Sequence, residues 1–252
     1  MKYLIGDIGN TSTKLSIFNS KFKIVKSYNV DTFKLNHKIF LPNYFKKIIK
    51  KDISKKILFS SVVPKTYKKI KRYLKKKNFI CYEIKDLKIE KIIKTRVKKI
   101  SQVGSDRLSN AIGSYVFYKK NSLIIDFGTA TTFDVVKHPG IYDGGVIAPG
   151  IKLSIMNLSE ATALLPVFKL KRMIKTYGKN TKQALNAGFL WGYQGLINNI
   201  IKKIYEKSKI NYKIILTGGY ASHFKKYVLK KSIIDENITI KGVMEIYKRL
   251  IL

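Results

Sequence analysis

Two stretches of this chain pair an acid with a glycine and a run of small hydroxyl and amide residues. They are Asp7-Ile8-Gly9-Asn10-Thr11-Ser12-Thr13 and Asp126-Phe127-Gly128-Thr129-Ala130-Thr131-Thr132, which align without a gap. Each follows an apolar run, Leu4-Ile5 in one case and Leu123-Ile124-Ile125 in the other, readable as a buried strand. Such a strand-end loop suits the phosphates of a nucleotide. Glycine lets the backbone come close to an anion, neighbouring N–H and hydroxyl groups donate hydrogen bonds, and the acid can recruit a cation between itself and the phosphate oxygens. Lys14 adds a positive charge within reach of the first loop. A single Asp-x-Gly-x-Thr is a common turn; the repeat is what gives it weight, and it implies two loops facing one ligand.

Gly104-Ser105-Asp106-Arg107 places an acid beside a permanent cation at an expected helix start. It reads equally as a helix cap, with Asp106 stabilising the first turn, or as a general base for an alcohol nucleophile next to an anion clamp. Thr217-Gly218-Gly219 ends an apolar strand, where glycines would let a flat base and ribose lie against backbone. Thr181 is placed to cap a helix, and Gly188, Gly192 and Gly195 on that helix would allow close packing against a neighbour. Trp191 reads as core and Cys81 as a core or half-buried thiol. The three histidines have no metal-ligand spacing.

The elements that must position these residues alternate. Residues 2–8, 13–18 and 22–28 read as strands, so the chain opens with a hairpin rather than a strand followed by a helix. Neither G-x-G-x-x-G nor G-x-x-x-x-G-K-[ST] occurs. Apolar residues recur at helical spacing among lysines around 44–51 and 66–77, with a strand at 57–63 between them. A helix over 106–118 leads into the second motif, which continues as a strand at 132–136. Pro149-Gly150 opens another helix, one begins near Thr181, and 213–216 forms a last strand. The duplicated motif favours two domains, 1–113 with the first loop and the Asp106 motif and 114–252 with the second loop and the Thr217-Gly218-Gly219 turn.

The formal net charge of +36 on 252 residues points first to polyanions. Only five of the 51 basic residues are arginine, however, and arginine is the usual agent of bidentate phosphate and base-edge recognition. Scattered lysine without arginine is the composition that AT-rich coding drift produces, and runs such as Lys75-Lys76-Lys77 read as solvated helix faces. No specific nucleic-acid partner is expected. The acids are more telling, since five of the nine aspartates (Asp7, Asp106, Asp126, Asp134 and Asp143) lie in or beside glycine-containing motifs. One cysteine excludes an intramolecular disulfide, Asp7 interrupts any signal-peptide pattern, and the longest apolar stretch carries Asn186, Gln194, Asn198 and Asn199. A cytoplasmic protein with no membrane span is expected.

Taken with Gly144-Gly145-Val146-Ile147-Ala148-Pro149-Gly150 and Asn180-Thr181, these motifs resemble, in order and spacing along essentially the whole chain, the type III pantothenate kinase family. The resemblance implies two similar ribonuclease-H-like, actin-like α/β domains with mixed sheets and a nucleotide cleft between them. It implies ATP contacts from Asp7, Ile8, Gly9, Asn10, Thr11, Ser12, Thr13, Lys14 and Thr129, and a monovalent cation, potassium or ammonium, at Asp126, with Mg²⁺ accompanying ATP. Asp106 would accept the proton of pantothenate's primary hydroxyl, and Gly104, Ser105, Arg107 and Thr181 would line the pantothenate site. A homodimer is implied as well. The chain departs from the family where a substrate-contacting tyrosine is usual: Val97 stands there and offers no hydroxyl. Two other functions keep a place: a non-catalytic accessory transcription regulator, and a phosphotransferase acting on another small alcohol or on polyphosphate.

Overall fold

The structure is a computed structural model and describes residues 1–174 and 176–252. In chain order, β1 (Tyr3–Ile8), β2 (Ser12–Phe18) and β3 (Ile24–Asp31) are followed by α1 (Phe40–Ile48), β4 (Lys56–Ser61), α2 (Pro64–Lys75), β5 (Ile80–Glu83), β6 (Lys94–Thr95) and α3 (Ser105–Tyr118). Next come β7 (Ser122–Phe127), β8 (Ala130–Lys137), β9 (Ile141–Pro149), α4 (Ile151–Glu160), α5 (Thr181–Ser208), β10 (Lys213–Gly218), α6 (Ala221–Phe224), β11 (Ser232–Ile234) and α7 (Ile238–Leu250).

The chain divides into two compact units. The first comprises Met1–Lys119, His138–Asp143 and Asn237–Leu252; the second comprises Lys120–Lys137 and Gly144–Glu236. In the first, the sheet order is β3-β2-β1-β4-β5, with β1, β2 and β3 antiparallel and β1, β4 and β5 parallel. Central β1 is covered on both faces and is apolar nearly throughout, whereas β3 at the edge has no buried residue. Pro64 opens α2, its fixed φ suiting a first helical turn. Tyr67, Ile70 and Leu74 then fall on one buried stripe with lysines on the other side. Leu4, Ile8, Leu15, Phe45, Phe59 and Ile70 belong to the core of this unit.

Helix α3, which begins at the Asp106 motif, is locked against α7. A β-carbon on Gly242 would overlap the Ser109 carbonyl, and one on Gly113 would lie 2.6 Å from the Ile238 carbonyl oxygen, so the two backbones meet where neither helix has a side chain. Thr239 Oγ1 donates to Asn110 Oδ1 at 2.7 Å across the same seam. The last helix therefore returns to the first unit, although its sequence follows the second.

In the second unit the order is β11-β10-β7-β8-β9, with β7 parallel to β10 and antiparallel to β8. β6 pairs with the first residues of β9, which belong to the first unit. Leu123, Ile125, Phe133, Leu190, Ile197 and Phe224 are among the core residues here. Two expectations are corrected. Trp191 is 44 % exposed on α5 rather than core. Among the described residues, nothing from a neighbouring element lies within 4 Å of where a β-carbon would stand on Gly188, Gly192 or Gly195, so no such element packs closely there. The buried stripe of α5 runs through Ala187, Leu190, Tyr193 and Ile197, and the glycines lie off it. Cys81 is buried, as expected. Among the described residues no helix is long and apolar enough to cross a membrane.

Candidate active site

The two Asp-x-Gly motifs both form hairpin turns, but the hairpins differ by one residue. In the first, the Gly9 N–H donates to the Ser12 carbonyl at 3.0 Å, with Asn10 and Thr11 between them. In the second, the Gly128 N–H donates to the Ala130 carbonyl at 3.1 Å with only Thr129 between. The shift changes what faces each acid. Asp7 stands opposite Lys14 on β2 and Ser60 on β4. Asp126 stands between two threonines, Thr132 on β8 and Thr217 on β10. Cross-strand partners share a face of the sheet, so the first acid has a cation in its row and the second has hydroxyls.

The first turn is held from below by Thr32. Its hydroxyl donates to the Gly9 carbonyl at 2.6 Å, and its N–H donates to the Thr11 carbonyl at 3.0 Å. Asn10, Thr11 and Ser12 are left exposed at the apex. Ile8 and Thr13 are buried, the latter's hydroxyl 2.9 Å from Thr32 Oγ1, so these two shape the loop from within. Lys14 Nζ donates to Asn237 Oδ1 at 2.6 Å, at the start of α7. The Asp7 carboxyl is pushed up to about 7: burial is the main cause, repulsion from Asp106 adds to it, and the Ser60 hydroxyl and Lys14 oppose it. Ser60 Oγ is fully buried and forms no hydrogen bond of good geometry among the described residues. A carboxylate made costly by burial and a second acid, with the Ser60 hydroxyl beside it, is an oxygen-rich place that a hard cation would complete.

Asp106 lies in the first turn of α3, where the helix dipole favours an anion. Its Oδ1 accepts the Arg107 N–H at 2.8 Å. A β-carbon on Gly104 would stand 2.5 Å from that same Oδ1, so glycine there leaves the carboxylate its place. Burial raises the Asp106 pKa, while the Arg107 N–H, the Arg107 charge and Lys85 pull it down. The result is a partly exposed carboxylate, less acidic than an ordinary one, a shift in the direction that favours proton acceptance. Ser105 faces inward, with Oγ donating to Glu83 Oε1 at 2.6 Å.

In the second unit, Gly218 adopts φ +84° and a β-carbon on it would lie 2.5 Å from Asp126 Oδ1, so the Thr217-Gly218-Gly219 turn abuts the second acid. The Asp126 carboxylate and the threonines that flank it across the sheet offer oxygen ligands of the kind that hard cations take. Asp134 is fully buried and accepts from Thr132 Oγ1 at 3.3 Å. Thr181 is exposed and is the first residue of α5, not its cap. Asn180 performs that role, its Oδ1 accepting the Gln183 N–H at 3.0 Å. Among the described residues no group of three or more His, Cys, Asp and Glu is arranged to hold a metal. Lys14 and Asp106 thus both act on Asp7 within the first unit, and Asp126, Thr129 and Thr181 lie in the second. Ser60, Thr32, Glu83 and Asn237 were not singled out from sequence, since only strand pairing and the return of α7 bring them to the motifs.

A sequence model of the type III pantothenate kinase family matches residues 3–203. The type III pantothenate kinase of Pelagibacter ubique is 44% identical over 242 residues, covering 96% of this chain and 96% of that protein. That of Sulfurihydrogenibium sp. is 33% identical over 244 residues, covering 94% and 96%. Among solved structures, a Campylobacter jejuni protein assigned to the Baf family of transcriptional activators has a TM-score of 0.58 at 21% identity, covering 97% of both chains. The activator of 2-hydroxyisocaproyl-CoA dehydratase from Clostridium difficile, with bound ADPNP, has a TM-score of 0.54 at 12% identity, covering 97% of this chain and 92% of that one. At such identities these two likenesses bear on the fold alone, which is mixed α/β of the actin-like ATPase and sugar kinase kind.

Proposed function

The chain belongs to the type III pantothenate kinase family, and on that footing we propose that it transfers the γ-phosphoryl group of ATP to the primary hydroxyl of pantothenate, giving 4′-phosphopantothenate for coenzyme A synthesis. The observation that carries the reading is the placement of Asp106: a partly exposed, weakly acidic carboxylate fixed at a helix start, close enough to Asp7 for their charges to interact. Phosphoryl transfer passes through a loose transition state, so catalysis rests on positioning and charge stabilisation. Asp106 orients the substrate hydroxyl and takes its proton. The exposed apex Asn10–Ser12 and Lys14 grip phosphate oxygens, Ile8, Gly9 and Thr13 hold that loop in shape, and Thr129 contacts the nucleotide. Gly104, Arg107 and Thr181 line the pantothenate site, with Ser105 setting the backbone there.

Asp7 is the residue that would hold Mg²⁺ together with the phosphates, and the ion would supply neutralising charge there. Asp126, flanked by the hydroxyl residues Thr132 and Thr217, is the residue for a potassium or ammonium ion. The site belongs to a cytoplasmic homodimer in this reading. Exposed apolar side chains of the second unit, Ile147 at 63 %, Leu153 at 40 %, Met156 at 39 % and Trp191 at 44 %, support a second copy as their cover.

The test is a panel of pantothenate, other small alcohols and polyphosphate, each with ATP and Mg²⁺, in potassium, ammonium or sodium buffer. Turnover of pantothenate with a gain from potassium or ammonium is expected. Selective turnover of another alcohol, or DNA binding that shows sequence preference and falls steeply with salt, with no turnover, would overturn the reading.

A further inference from the structure

Glu83, the last residue of β5, is 8 % exposed and has two hydrogen-bond partners, each adjoining the Asp106 motif. Its Oε1 accepts from Ser105 Oγ at 2.6 Å, and its Oε2 accepts the Lys85 N–H at 2.8 Å, capping the 3₁₀ turn Ile84–Asp86. Among the described residues no cation pairs with it. A buried carboxylate without an ion pair is a poor way to fill a core, because an apolar side chain of that size would avoid the desolvation cost. What two charge-assisted hydrogen bonds on one rigid group do provide is a fixed distance between the things they hold. Those things are the residue before Asp106 and the turn that carries Lys85, whose charge acts on the Asp106 carboxylate. Ser105 is itself fully buried, and its carbonyl accepts Ser109 Oγ at 2.7 Å, so the tie continues into the second turn of α3.

We infer that Glu83 is a positioning residue for the phosphoryl transfer, setting Asp106 through Ser105 and Lys85 through the 84–86 turn. The inference rests on the kinase reading of the site. Its test compares the parent protein with Glu83→Ala, Ser105→Ala, the double variant and Glu83→Gln, in ATP-dependent pantothenate phosphorylation and in thermal unfolding.

Each alanine variant should lower kcat by about 10- to 100-fold with little change in KM for ATP, the loss that an ångström-scale displacement of a reacting group brings. The double variant should fall no further than the worse single one, because both remove the same link. Glu83→Gln should recover most of kcat: its amide oxygen can accept the Lys85 N–H, and its NH₂ can donate to a turned Ser105 hydroxyl. Folded alanine variants with parental kcat, or single losses that multiply in full in the double variant, would overturn the inference. Should Glu83→Ala fail to fold, Ser105→Ala decides, parental kcat counting against. A parent protein without turnover on pantothenate refutes the kinase reading and this inference with it. A parent with turnover that Ser105→Ala leaves intact refutes this inference alone.

Discussion

Replacing Asp7 by asparagine should make the ligand-free protein more stable and the enzyme inactive. The side chain keeps its size and loses its charge, and that charge is what the fold resists: burial, with repulsion from Asp106, lifts the Asp7 carboxyl from 3.8 to about 7. A carboxyl whose folded pKa lies above its unfolded one contributes stability that is complete below the unfolded value and is lost as pH rises through the folded value. The window here runs from about pH 4 to about pH 7. At about 1.4 kcal/mol per pH unit, ionised Asp7 costs the protein up to about 4 kcal/mol at pH 8. Asparagine does not ionise and escapes that cost, so Asp7→Asn should exceed the parent by up to about 4 kcal/mol at pH 8 and match it near pH 4. For a chain of this size, 1 kcal/mol moves Tm by about 2–4 °C, which puts the two melting curves on the order of 10 °C apart at pH 8. Thermal unfolding from pH 4 to 8.5, without nucleotide or divalent cation, reads the difference directly. Adding Mg²⁺ and ATP should narrow it, since a cation beside ionised Asp7 favours the parent only. A gap that does not vary with pH, or a variant less stable than the parent at pH 8, would refute the claim that the site stores strain in this carboxylate.

Two further substitutions separate activity from stability. Gly104→Ala puts a methyl group against Asp106 Oδ1, a side-chain atom that can move aside; stability should change by less than about 1 kcal/mol while kcat falls about 100-fold, as paired melting and turnover measurements would show. Gly218→Ala meets backbone instead, with Phe127 N and C both 2.6 Å from the new carbon and φ at +84°; it should cost about 1–3 kcal/mol in denaturant unfolding and weaken any potassium dependence through Asp126.

What the sequence made legible was short-range. The hairpins around Gly9 and Gly128, the helix opening at Asp106 and the helix after Gly150 all follow from turn residues and apolar period within a few positions. The helix near 181 was legible too, but its cap was not: Asn180 and Thr181 are both good capping residues, and the choice rests on which oxygen reaches the Gln183 N–H. The ungapped alignment of the two motifs concealed the one-residue difference between their hairpins, because strand register is set by hydrogen bonding across the pair and not by spacing along the chain. Ser60 and Glu83 reach the site only through parallel pairing of β1, β4 and β5, and Asn237 only because α7 packs on α3. The glycines of α5 suggested a close packing that no neighbouring element among the described residues provides.

The role proposed for Asp106 is to take the proton of pantothenate's hydroxyl beside the groups proposed to hold MgATP. It is tested most directly by steady-state kinetics of Asp106→Asn beside the parent, with nucleotide binding measured separately by calorimetry. The parent should turn over pantothenate, while the variant should lose about 10²- to 10⁴-fold in kcat and keep a nucleotide affinity close to the parent's. An Asp106→Asn protein that phosphorylates pantothenate at nearly the parental rate would contradict it.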